Sequence, residues 1–464
     1  MNILLVRAPY SSSFKEYSDV PLGIGYIGAV LERTGHTVNF VDGQVEQNFY
    51  HTLERTISSF KPGLVGLTGL TVNIQQVKEV ALFLKRHYPN LPLVFGGPHA
   101  RLISPSKILD HISQFDAVTK GEAEFTFLEV VDCYASGRSL DGVLGIAFRS
   151  GSEVIENADR PLVYKLDDIP FPARHLFDFS KYRPSPKEHK RLPGASIMTS
   201  RGCPYRCTFC LIGKFQKQYR MHSARYVVDE IKELVSKYGI NDIFIRDDMF
   251  TLSQERVKEI CQLLISEGVD ITFSCLGRAD NIKLETLEWM KRAGCWRFMI
   301  GIESGNQDLL DILHKDITLD QVRTCVRMCR QVGIQVDGFF MFGIPGETKE
   351  KALQTISFAK SLGLDYAQFY LATPYPGTDL REMCEEHGTF NAVEDEWGRL
   401  NQFGDENPIY VPNGMNGAEL KALQRKAWRS FYLRPSFIAR EVTKIRSVDD
   451  VKIRLEGLKS LFSF

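Results

Sequence analysis

Apolar residues enter this chain in short runs separated by stretches with helical spacing. Through residues 1–150 the runs are "NILLVRAP", "TVNFVDG", "LVGLTGL", "PLVFGG" and "DAVTKG". Between them lie amphipathic segments such as "GYIGAVLERTG" and "IQQVKEVALFLKRHYP". Unbroken apolar strands belong to sheets covered on both faces, and their alternation with helices predicts an α/β domain with a parallel, doubly wound, Rossmann-like sheet. Ligands of such sheets lie beyond the carboxyl ends of the strands. Three of those ends carry small or turn residues: "TGLT" at 68–71, "GGPH" at 96–99 and "KGEAE" at 120–124. A missing Cβ there lets a ligand approach the backbone.

Residues 151–193 lose the pattern. They are rich in Pro and charge but keep Leu, Phe and Tyr, and they read as an ordered connector. From 194 the alternation resumes with "ASIMTS", "DIFIRDD", "ITFSCLG", "RFMIGIES", "VDGFFMFGIP" and "YAQFYLATP". The helices between them, such as "ARYVVDEIKELVSKYG" and "LETLEWMKRAG", end in Gly, a common helix terminator. Six βα units over 194–384 predict an open, partial barrel, whose chemistry belongs at the carboxyl ends of its strands. Residues 385–464, with "DEWGRL", "NQFGDENPIY" and an amphipathic segment from "AELKALQRKAW", are expected to form a small helical subdomain that closes the barrel.

Composition changes this picture little. Lys plus Arg and Asp plus Glu are 57 each in 464 residues, so no basic excess favours nucleic acid or anionic membrane. No apolar run is long enough to span a bilayer. "MNILLVRAP" reads as a buried strand rather than a signal peptide, and a cytoplasmic location is expected. The ten cysteines are then thiols or metal ligands rather than disulfides. Seven of them (Cys133, Cys261, Cys275, Cys295, Cys325, Cys329, Cys384) fall in apolar patterns and read as small core residues.

The other three do not. "SRGCPYRCTFC" holds Cys203, Cys207 and Cys210 in a C-x3-C-x2-C spacing, in the loop after the first barrel strand. A zinc ion prefers four N or S ligands, and the next candidate is a lone His222. A [4Fe–4S] cluster is held by thiolates, and three of them leave one iron open to a chelating substrate. This arrangement, with the aromatic Phe209 before the last cysteine, resembles the radical S-adenosylmethionine (SAM) superfamily. The resemblance implies a [4Fe–4S] cluster on Cys203, Cys207 and Cys210 whose open iron binds SAM. The reduced cluster would cleave SAM to a 5′-deoxyadenosyl radical. It also implies roles along the later strand ends: Asp247 and Asp248 in "RDDMF" for the SAM ammonium, with a helix N-cap as their alternative use, and Arg278 for the SAM carboxylate or a surface salt bridge. Glu303 and Ser304 in "GIESG" would contact the ribose, and Gly343, Ile344 and Gly346 in "FGIPGET" the adenine.

A doubly wound domain ahead of such a barrel, with "KLDDIPFPAR" and "FYLRPSF", resembles the cobalamin-binding branch of that superfamily. This branch includes methyltransferases and the anaerobic magnesium-protoporphyrin IX monomethyl ester cyclase. Thr68-Gly69-Leu70 resembles the S-x-L element of cobalamin domains, and Gly96-Gly97 the GG that admits the nucleotide tail. The D-x-H-x-x-G motif is not kept: "SDVPLG" at 18–23 puts Val20 where a cobalt-ligating His would stand. Thr71, Val72 and Asn73 are then candidates to pack beneath cobalt. The implied activity is hydrogen abstraction from a small organic substrate followed by methyl transfer from methylcobalamin. Oxidative cyclisation, dehydration or rearrangement, with or without bound cobalamin, is the alternative, with an electron donor such as flavodoxin or ferredoxin in either case. The transfer-RNA methylthiotransferases fit poorly, since residues 1–150 hold only Cys133. A non-catalytic cobalamin carrier would leave the three cysteines without a use.

Overall fold

The first apolar run forms strand β1 (Asn2–Arg7), completely buried from Ile3 to Val6. In the computed structural model, which describes residues 1–10, 18–184, 188–391, 399–400 and 408–442, β1 pairs in parallel with β2 (Thr37–Asp42) and β3 (Leu64–Thr68). Strands β4 (Leu93–Gly96) and β5 (Ala117–Thr119) continue the parallel sheet beyond β3. The order β2-β1-β3-β4-β5 is doubly wound, with its topological switch between β1 and β3.

Two further strands, β6 (Ile146–Ser150) and β7 (Glu153–Glu156), extend this sheet antiparallel. The second lies inside the stretch read as connector. The local signal was present: "IAFRSGSEVIE" is a hairpin turning at Gly151, which has φ +63°. Described connector residues pack against the helix Leu22–Arg33 and against β2. Leu166 and Ile169 join Tyr26 and Val30 in one buried cluster, and Phe177 meets Phe40 edge-on at 5.3 Å.

Six strands form the second sheet: β8 (Gly194–Ile197), β9 (Asp242–Ile245), β10 (Thr272–Gly277), β11 (Cys295–Glu303), β12 (Gln335–Phe342) and β13 (Tyr366–Leu371), in the order β13-β12-β11-β10-β9-β8. β10 to β13 pair in parallel along the chain. Helices between them stop at glycines with positive φ, as at Gly239 and Gly333. By contact density the chain divides into two compact units, Met1–Thr199 with Arg220–Phe244, and Ser200–Tyr219 with Ile245–Phe464.

The tail is mixed rather than purely helical. Gly388–Phe390 pairs antiparallel with Tyr410–Pro412, and helices Gly417–Tyr432 and Pro435–Val442 follow. The longer helix covers the edge strand β13. Gln424 Nε2 and Trp428 Nε1 donate to the Phe369 carbonyl at 2.9 and 3.3 Å. The Tyr432 hydroxyl donates to the Ala367 carbonyl at 2.7 Å and accepts its N–H at 3.1 Å. Side chains thus satisfy backbone groups that an open edge would expose. Most of "DEWGRL" and "NQFGDENPIY", and the tail beyond 442, lie outside the described residues. Among the described residues no helix is long and apolar enough to cross a membrane.

Candidate active site

Strand β8 leads into the cysteine loop. Gly202, at φ +87°, turns the chain where a Cβ would strike the Gln218 carbonyl. Backbone bonds then fix the loop: Cys203 N–H donates to the Gln216 carbonyl at 3.0 Å, and Cys210 N–H to the Cys207 carbonyl at 3.1 Å. The seven cysteines expected in the core are all buried, whereas Cys203, Cys207 and Cys210 are only half-buried. Only these three are presented for ligation, a donor set of sulfurs alone that suits an iron–sulfur cluster.

Burial pushes the Cys203 thiol up to about 11. Burial also raises Cys207, and two cations oppose it: Lys315 first, then Arg278. Arg278 Nη1 lies 3.9 Å from Cys207 Sγ, and its guanidinium sits over the Tyr205 ring at 3.7 Å. The Lys315 ammonium lies 5.7 Å from the centre of the Phe209 ring and 2.8 Å from Glu303 Oε1. These positive charges would offset those of a thiolate-bound cluster.

Several expected site residues already have partners. Arg278 holds Asp280 through Nε and Nη2 at 2.9 and 3.2 Å and donates to the Lys315 carbonyl. It lies beside Cys207 while its ion pair with Asp280 is largely buried rather than at the surface. Asp247 is buried, accepting from Ser200 Oγ at 2.6 Å, while Asp248 is exposed. Neither caps the helix that follows. Ser253 does, accepting from Arg256 N–H, which corrects that alternative for the pair.

Glu303 adopts φ +67° at the end of β11, beside a register shift. A non-glycine residue held there is strained, a feature that clusters at functional sites. Ser304 turns inward to Thr355 Oγ1 at 3.2 Å and accepts from Asn306 N–H at 3.2 Å. After β12, Gly343 and Gly346 take φ +83° and +78°, and Ile344 is buried. The Glu347 carboxyl accepts from Gly343 N–H at 2.5 Å and Ile344 N–H at 3.4 Å. Burial raises it to about 8. Glu347 therefore pins the loop that carries Gly343 and Ile344.

In the first unit, β3 and β4 end side by side. Thr68 Oγ1 donates to the Gly96 carbonyl at 3.0 Å. Gly97 has φ +108°, and a Cβ on it would come within 2.3 Å of that hydroxyl. Leu70 is 37% exposed, an apolar side chain left beyond the end of β3. Asn73 caps Leu70 N–H at 2.7 Å, and Thr71 bonds His99 Nδ1 at 3.2 Å. Both side chains are buried, so of the three residues considered for the cobalt face only Val72 is not spoken for within the domain. His99 is completely buried and held neutral, its pKa lowered to about 4 by burial. It is not presented as a cobalt ligand.

Residues 197–359 match the radical SAM superfamily model and residues 16–131 the B12-binding domain model. An uncharacterised methyltransferase of Pyrococcus horikoshii is 34% identical over 446 residues, covering 95% of each chain. The chain belongs to the cobalamin-binding radical SAM enzymes. The anaerobic magnesium-protoporphyrin IX monomethyl ester cyclase of Rubrivivax gelatinosus is 26% identical, covering 96% of this chain and 80% of the cyclase. The cobalamin-dependent SAM radical enzyme OxsB, solved with aqua-cobalamin and SAM, shares the fold at TM-score 0.76 and 18% identity over 99% of this chain and 70% of its own.

The cofactors of this radical SAM enzyme are a [4Fe–4S] cluster, SAM and cobalamin. The residues present fit them: three half-buried thiols beside two cations for the cluster, and the Gly97 turn with an exposed Leu70 for the corrinoid. Sequence reading missed Lys315, Tyr205 and Glu347. Glu347 closes the quoted "FGIPGET" and was legible there, and Tyr205 stands inside the cysteine motif. Lys315 follows a short helix, and no local pattern ties it to Glu303.

Proposed function

We propose that this enzyme methylates an unreactive carbon of a small organic molecule. When bound, the cluster and SAM supply a 5′-deoxyadenosyl radical that removes hydrogen from the substrate, and cobalamin supplies the methyl group. The observation that carries this reading is the pairing, in one chain, of a cobalamin-binding segment with a three-thiol loop. The methyltransferase relative spanning 95% of the chain supports it.

The chain's own residues have defined parts in this reading. Cys203, Cys207 and Cys210 hold the cluster, with Arg278 and Lys315 balancing charge at Cys207. Asp248, exposed where Asp247 is buried, is the better acceptor for the SAM ammonium. Glu303 with Ser304 serves the ribose, and Gly343, Ile344 and Gly346, held by Glu347, serve the adenine. Thr68, Leu70, Gly96 and Gly97 form the cobalamin rim. A low-potential carrier such as flavodoxin or ferredoxin supplies electrons.

The cyclase relatives favour a second reading, in which the reaction ends in ring closure without methylation. One assay separates the two. Reduced, cobalamin-loaded enzyme given SAM anaerobically should form S-adenosylhomocysteine beside 5′-deoxyadenosine. The latter alone would reject methyl transfer.

A further inference from the structure

His189 is a buried histidine that the cofactor sites leave unused. Its side chain is completely buried, and its Nδ1 lies 3.0 Å from Oδ1 of the equally buried Asp242. A carboxylate accepts only, so the proton sits on Nδ1 and the lone pair on Nε2. Nδ1, Cγ and Cε1 lie over Gly194, where a Cβ would come within 2.2 Å of Nδ1. Nε2 is buried and makes no hydrogen bond. A bare, buried imidazole nitrogen is costly unless something outside the chain fills its lone pair.

Two acids lie close enough to His189 to add ligands. One ligand atom each of Asp19, Glu188 and His189 lie within 4.8 Å of one another. Asp19 is positioned from two sides: Ser196 Oγ approaches its Oδ2 at 3.5 Å, and Arg7 Nη1 donates to its carbonyl at 3.2 Å. Two carboxylates balance a divalent charge, and the imidazole directs selectivity toward first-row metals over magnesium or calcium. A carboxylate behind the ligating histidine is the usual means of fixing its tautomer.

We propose that Asp19, Glu188 and His189 bind one divalent first-row metal ion, Zn²⁺ being the redox-inert case, with Asp242 as the positioning residue behind His189. The ion joins the segment after β1 to the segment before β8, with water completing its shell. The site shares no residue with the cysteine loop or with Thr68, Leu70, Gly96 and Gly97, and Asp19 adjoins Val20, at the position of the missing cobalt-ligating histidine.

The test uses the full-length chain with its cluster reconstituted, so that the loop thiols are occupied. After chelator treatment, the protein is titrated with Zn²⁺ against a chromophoric chelator, and separately with Co²⁺ as a spectroscopic probe. We expect one Zn²⁺ per chain beyond the iron, and a Co²⁺ spectrum of nitrogen and oxygen ligands without thiolate charge-transfer bands. Glu188→Gln, Asp19→Asn and Asp242→Asn should each weaken Zn²⁺ by about tenfold or more while leaving iron content and the cluster absorption unchanged. The half-buried Glu188 and Asp19 give variants whose folding does not hinge on His189. No Zn²⁺ retained, wild-type affinity in E188Q and D19N, or thiolate bands with Co²⁺ would each overturn the proposal.

Discussion

Replacing Glu347 with Gln tests the electrostatics of the loop after β12. The carboxyl is completely buried, accepts two backbone N–H bonds through Oε2, and leaves Oε1 without a partner. Burial outweighs the two donors and raises its pKa from 4.5 to about 8. The folded state therefore holds a proton that the unfolded chain has released. The resulting stabilisation is fully present below pH ~4.5 and is lost as pH rises through about 8. Between pH 6 and pH 9 the expected loss is about 2.5 kcal/mol, taking 1.36 kcal/mol per pKa unit. Gln keeps the accepting oxygen and cannot ionise. Urea midpoints of wild type and E347Q, measured anaerobically across that range, should converge near pH 6 and separate as pH rises, with the variant the more stable at pH 9. Parallel curves, or a variant weaker at every pH, would refute the argument that this carboxyl is protonated in the fold.

Lys315→Met should strand Glu303 and destabilise the second unit by about 3–5 kcal/mol, and adding Glu303→Gln should restore part of it, as read by urea unfolding. Gly97→Ala forces a Cβ toward Thr68 at φ +108°; it should cost about 1–3 kcal/mol and lower cobalamin uptake in equilibrium dialysis, leaving cluster iron unchanged. Tyr432→Phe removes the hydroxyl that both donates to and accepts from Ala367; it should cost about 1–2 kcal/mol and speed amide exchange at Ala367.

Both sheets were legible because most of their strands carry short apolar runs, as at Ile3–Val6 and Phe339–Phe342. The hairpin of β6 and β7 was passed over because the half-exposed "EVIE" carries no apolar run and lies among charged residues. The cysteine loop was readable because a cluster needs its thiols close in sequence, and the helix covering β13 because its amphipathic period is long. What the sequence hid is what the fold assembles from afar. Lys315 reaches Glu303 only through a turn after a short helix. The turning inward of Ser304 depends on Thr355, on a different βα unit. Asp247 and Asp248 are identical as letters, and only the backbone decides that one is buried and the other exposed.

The account rests on SAM binding at a cluster held by Cys203, Cys207 and Cys210. The direct measurement is the electron paramagnetic resonance spectrum of anaerobically reconstituted, reduced enzyme before and after SAM. The account predicts a [4Fe–4S]⁺ signal that changes on adding SAM and is lost in Cys207→Ala. A signal indifferent to SAM, or one that survives in Cys207→Ala, would contradict it.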